Sequence, residues 1–287
     1  MPIKQLQLAK YLYRKGTETL DQNNSMSCGL AISLFQDAVE MVMHAIVGHL
    51  DAQVKDKAPF EELWAAIPKA TRNTERLVLP YKELMRKLNK ARVSFKHHGL
   101  LPAPSEGFKF QAHTEEFFRE TVKRFFNLDF DSISMAELIE NSEIRDRLKA
   151  AETFLAEGRL QDCLTKCAEA RWFIFGPVSD LLPLPISGIT SFMRLGSSSQ
   201  ERALESFFRT LTEYLDSLRS LSWVSLIGVN LSHYRKYRSM GLHANRFGSG
   251  RFEVAFTRSN HTEADAKFCI GYLIDLALKV QDKLLHD

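Results

Sequence analysis

Residues 32–50 read ISLFQDAVEMVMHAIVGHL. Ile32, Phe35, Val39, Val42, Ile46 and Leu50 recur at steps of three and four, so they share one face of a helix. Leu34, Met41, Met43 and Val47 widen that face toward full burial. Working outward, two more segments carry the same period. ERALESFFRTLTEYLDSLRSLSWVSLIG, residues 201–228, places Leu204, Phe207, Leu211, Leu215, Leu218 and Leu221 along an apolar face. ADAKFCIGYLIDLALKVQDKLL closes the chain as a third long helix. Ser134 to Glu137 and Ser198 to Glu201 have the S-x-x-E pattern that caps helix starts. Only GFKFQ near residue 108 and RFEVAF near residue 252 alternate as strands do, and neither is long enough to found a sheet. The expected class is all-α with short hairpin-like insertions.

The 287 residues are 45% hydrophobic and 25% charged, a soluble globular mix that excludes a disordered or collagen-like chain. Neither an apolar leader nor a membrane-length run of uninterrupted apolar residues is visible, so a cytoplasmic chain without membrane attachment is expected. Cys28, Cys163, Cys167 and Cys269 fit neither a zinc spacing nor a redox pair and are expected reduced and buried. No P-loop, HExxH, GxSxG or EF-hand pattern occurs. No metal or cofactor is expected.

Two stretches, 1–130 and 131–287, follow one plan. Each opens with a helix pair and continues into a basic segment containing Arg, four residues, His. A Gly- or Pro-rich loop, a short aromatic stretch and then His-Thr-Glu follow. The marks are Arg92, His97, Phe108, Phe110 and His113-Thr114-Glu115 in the first, and Arg238, His243, Phe252, Val254 and His261-Thr262-Glu263 in the second. Thr114 and Thr262 are candidate caps of a final helix. An internal duplication accounts for this. The longest Pro/Gly/Ser-rich stretch, 177–200, reads as a packed loop within the second part.

Basic charge gathers at the two Arg/His couples. Lys82, Arg86, Lys87, Lys90, Arg92 and Lys96 face one acid, Glu83; Arg235, Lys236, Arg238, Arg246, Arg251 and Arg258 face one acid, Glu253. Such clusters suit a phosphate backbone. Residues i and i+5 on a straight helix point about 140° apart, so each couple converges only where its helix bends or stops. Gly99 and Pro102, and then Gly241, Gly248 and Gly250, supply breaks.

Arg92-Val-Ser-Phe-Lys-His97 and Arg238-Ser-Met-Gly-Leu-His243 give the chain a layout that resembles tandem HEPN domains, the all-α nucleic-acid-processing domains of prokaryotic defence and toxin systems. The resemblance implies two tandem helical bundles and metal-independent cleavage of RNA where two such units pair. Arg92 or Arg238 would grip the scissile phosphate through its planar guanidinium. His97 or His243 would move the proton of the ribose 2′-OH, leaving a 2′,3′-cyclic phosphate and a 5′-OH. Lys90, Lys96, His98, Arg235, Asn245 and Arg246 would bind the substrate. RNA, a second copy or a defence-system protein are the implied partners. Val93 and Ser239 stand where many active members carry Asn, Asp or His. A non-catalytic regulatory subunit on the same fold is therefore the alternative, and AETFLAEGRLQDCLTKCAEA leaves a peptide-binding helical repeat as a third reading.

Overall fold

The computed structural model describes residues 2–55, 58–71, 77–179 and 199–284. They are mostly helical and form two compact units, Met1–Leu138 and Ile139–Asp287.

The first unit is built around the quoted helix. α1 (Pro2–Leu20) and α2 (Ser25–His49) are followed by α3 (Phe60–Ala70), α4 (Lys82–His98), α5 (Pro104–Phe126) and a 3-10 turn at Met135–Leu138. Asn24 starts α2 by accepting the Ser27 N–H at 2.9 Å, and the Ser27 hydroxyl returns the bond by accepting the Asn24 N–H. α2 packs against α1, α3, α4 and α5, which is why its apolar face is so wide. By length and composition it would also pass as a membrane span, with a mean hydropathy of 1.5, and 61% of that window is buried within the chain. Phe35, Phe117 and Phe118 are fully buried, each worth roughly 1.5–3 kcal/mol of transfer free energy. Tyr13 meets Phe118 edge-on with centroids 5.6 Å apart, and Phe118 meets Phe130 at 4.9 Å. Residues 131–138, which the sequence assigned to the second part, belong to this unit. The Lys10 ammonium of α1 donates to the carbonyls of Asp131 (2.6 Å) and Ile133 (2.8 Å) and holds them there.

GFKFQ is not a strand; it lies in the first turns of α5. Pro104 opens that helix at a position that needs no N–H, and the Glu106 carboxylate accepts the Ala103 N–H at 3.2 Å. From there Gly107, Thr114, Phe117, Phe118, Thr121 and Val122 are buried at helical spacing. Thr114 therefore sits in mid-helix, with its hydroxyl buried and unbonded, and caps nothing. Ser134 to Glu137 opens only the 3-10 turn. Ser198, and most of the 177–200 stretch, lie outside the described residues.

In the second unit α6 (Ser142–Ala156), α7 (Leu160–Ser179), α8 (Ser199–Ile227) and α9 (Leu231–Ser239) lead to β1 (Leu242–Arg246), β2 (Phe252–Phe256) and α10 (Glu263–Leu284). RFEVAF is a strand, as its alternation predicts, and it pairs antiparallel with β1 in the register His243↔Ala255. Thr262 caps α10: its hydroxyl accepts the Asp265 N–H at 3.2 Å, and Asp265 accepts the Thr262 N–H at 3.0 Å. The two stretches read as equivalents thus differ after the basic segment, helix in one unit and hairpin in the other.

Candidate functional site

Arg92 and His97 both lie on α4, which stays helical through His98. Gly99 stops it in the left-handed region (φ 65°), its N–H bonding to Phe95 O and the next one to Ser94 O. The break falls beyond His97, not between the pair. Met85, Leu88, Arg92 and Phe95 turn toward the unit, Phe95 lying against Gly29 of α2. The Arg92 side chain is 21% exposed and donates through Nη2 to Asp37 Oδ1 of α2 at 3.3 Å. Its Nε is buried and bonds to nothing. Lys90, Lys96, His97 and His98 are exposed. Arg92 and His97 thus leave α4 on different sides, as five residues of regular helix require.

The second couple is held differently. Arg238 is in the last turn of α9. Gly241 turns the chain at φ 64°, and β1 carries His243 away from the helix. The Thr257 N–H donates to Gly241 O at 2.9 Å, fixing this turn to the end of β2. A cavity of about 130 Å³ is lined by Arg171 of α7, Tyr237 and Arg238 of α9, Gly241, Leu242 and His243 at the turn into β1, and Thr257. That volume is far below the roughly 300–1,000 Å³ of small-molecule sites, so it suits one oxyanion and not a nucleoside. Strand alternation sets His243 and Asn245 on the exposed face of the hairpin, where they pair with Ala255 and Glu253.

The electrostatics of this cavity are uncompensated. Among the described residues neither Arg171 nor Arg238 has a carboxylate partner. Arg171 lies over the rings of Phe175 (4.8 Å) and Tyr237 (5.8 Å). Tyr237 is 3% exposed, and its hydroxyl is buried with no hydrogen-bond partner. Burial pushes its phenol well above the usual range, so the proton stays on and the group is a donor. Arg171 carries no signal in the sequence, because only the packing of α7 against β1 brings it to the end of α9, where Tyr237 and Arg238 are neighbours along the chain.

The substrate-binding candidates of this unit scatter around the hairpin. Arg235 and Asn245 are exposed. Arg246 lies over Trp172 (5.2 Å), Phe173 (5.4 Å) and Phe252 (6.0 Å). Arg147 sits on the same nest, 4.2 Å from the centroid of Phe173, and also pairs with Glu143 and Glu169. The four cysteines are free and buried, as expected. Hydrogen bonding to Cys167, with burial, pushes the Cys163 thiol up, so it is a poor nucleophile. No group of three or more His, Cys, Asp or Glu placed to hold a metal occurs among the described residues. No family model, no curated protein and no solved structure matches the chain.

Proposed function

We propose that this protein is a metal-independent endoribonuclease of the HEPN type, acting in a prokaryotic defence or toxin system, and that the Arg238/His243 couple is its working site. The observation that carries the reading is a cavity lined by Arg171 and Arg238, neither with a carboxylate partner among the described residues, and by Tyr237, whose buried hydroxyl has no hydrogen-bond partner. Such a place is short of an anion. A phosphate oxygen would accept from Tyr237 and lie between Arg171 and Arg238, whose attraction for it strengthens as negative charge grows on the phosphorus oxygens. His243, on the exposed face beside the cavity, would take the 2′-OH proton. The 2′-oxygen then bonds to phosphorus, the P–O5′ bond breaks, and the 5′-oxygen leaves with a proton from solvent. The products are a 2′,3′-cyclic phosphate and a 5′-OH.

The test is cleavage of RNA by the full chain in EDTA, with end-group analysis. Cyclic-phosphate ends are expected, with a loss of about 100-fold or more in Arg238→Ala and His243→Ala, the scale of removing one transition-state donor. Dependence on a divalent metal, or undiminished cleavage by both variants, overturns the proposal.

One observation favours a second reading, a non-catalytic HEPN-like regulatory subunit. In the other unit Arg92 is already neutralised by Asp37 and points away from His97. A chain that binds a partner protein and never cuts RNA supports it.

A further inference from the structure

α8 runs from Ser199 to Ile227, and one face of it is uncovered. Leu204 is 45% exposed, Phe207 61%, Leu211 38%, Tyr214 60%, Leu218 42% and Leu221 44%. These six large apolar residues follow each other at steps of three, four, three, four and three. That is a 3.5-residue repeat, the seam of a left-handed coiled coil, and not the broader stripe of a helix facing its own core.

We infer that this seam is the interface between two copies of the chain, paired antiparallel through α8. The order of side chains argues for a second copy of itself in that orientation. Turned end for end about the point between Leu211 and Tyr214, the seam matches itself. Leu204 meets Leu221 of the partner subunit, Phe207 meets Leu218 of the partner subunit, and Leu211 meets Tyr214 of the partner subunit. Every aromatic faces a leucine, so large and small alternate across the layers as dense packing requires. A parallel pair would stack Phe207 on its own copy and Tyr214 on its own copy. Two layers would be overfilled and the leucine layers left thin.

The area is sufficient. The seam is about 26 Å long at 1.5 Å per residue. Covering the exposed parts of these six side chains on both copies removes on the order of 1,200 Å², the lower edge of specific stable interfaces. A two-fold axis closes the assembly at two chains, because each copy spends the same patch on the other. The inference does not rest on the cleavage reading, and it holds for an inactive chain as well.

Sedimentation equilibrium of the full chain, at concentrations up to on the order of 100 µM, tests it. A dimer is expected, and the chain carrying both Leu211→Glu and Tyr214→Glu should run at half that mass. Both side chains are exposed in the single chain, so its helical signal should not change. Orientation is read by oxidative cross-linking of near-native chains. A mixture of Leu204→Cys and Leu221→Cys chains should join to each other, and Leu204→Cys alone should not join to itself. A monomeric parent chain, a double-glutamate chain that stays dimeric, or self-joining of Leu204→Cys each overturns the inference. Should the glutamate chain lose its helical signal, the cross-linking decides.

Discussion

Asp37 accepts a hydrogen bond from Arg92 across 3.3 Å and so ties α2 to α4. The carboxylate is 46% exposed, and partly exposed pairs of this kind contribute about 0–1 kcal/mol. Its larger effect is on charge, since it occupies the guanidinium that the sequence offers to phosphate. Arg92→Ala should therefore cost stability and little RNA affinity, whereas Arg238→Ala should cost affinity and little stability. Urea unfolding and filter binding on both variants check this. Equal loss of RNA binding in the two would contradict it.

A Cβ on Gly29 would stand 2.3 Å from the Phe95 ring. Gly29→Ala should therefore overpack the α2–α4 contact and destabilise the chain by about 1–3 kcal/mol. Adding Phe95→Leu should recover part of that loss, because the two sites share one space. The measurement is a double-mutant cycle in urea. Strict additivity would refute the coupling.

Tyr237→Phe should leave the free chain as stable as before or more so, because an unbonded buried hydroxyl costs about 1–3 kcal/mol. The same change should weaken the response to an anion. Inorganic phosphate at about 100 times its dissociation constant should stabilise the parent chain by about 2.7 kcal/mol, read as a rise in melting temperature. The variant should respond less. An equal response in both places the phosphate elsewhere.

At the start of α10 the Thr262 backbone N–H holds the Asp265 carboxylate below its ordinary value of 3.8. The folded chain thus protonates later than the unfolded one. The contribution is complete above 3.8 and is lost as pH falls through the lowered folded value. Near neutral pH, Asp265→Asn should be less stable than the parent, and the gap should narrow as pH drops below that range. Thr262→Ala removes the other half of the box and should cost about 1 kcal/mol near neutral pH, and less in acid, because its hydroxyl also donates to the Asp265 carboxylate and helps to hold it low. Urea unfolding across the pH series reads both.

The helices were legible because their period is written in large apolar residues, as in α2 with Ile32, Phe35, Val39, Val42 and Ile46. Gly99 and Thr262 were legible as stop and start because each role needs that residue's own chemistry. GFKFQ misled because five residues are too few to separate two periods; Pro104 and the buried Phe117 and Phe118 settle it from outside the window. LHANR has no alternation of its own and is a strand only because RFEVAF pairs with it. Most of the apolar face of α8 was legible, with Leu215 read where Tyr214 stands in the exposed row, but its exposure was not, since a helix's own residues do not spell what covers it. The Arg/His couples could be found by spacing. Which of them has a free guanidinium depends on Asp37, a residue of a distant helix.

Gly241 has its Cβ position filled by the Thr257 hydroxyl, 1.9 Å away, and its carbonyl bonded to the Thr257 N–H. The base of the hairpin is thereby clamped, while its tip at Phe247 to Arg251 is exposed. Loop length at that tip is consequently a dial separate from the anchor: grafted or deleted residues there would alter how far the finger extends and leave the cavity at its base unmoved.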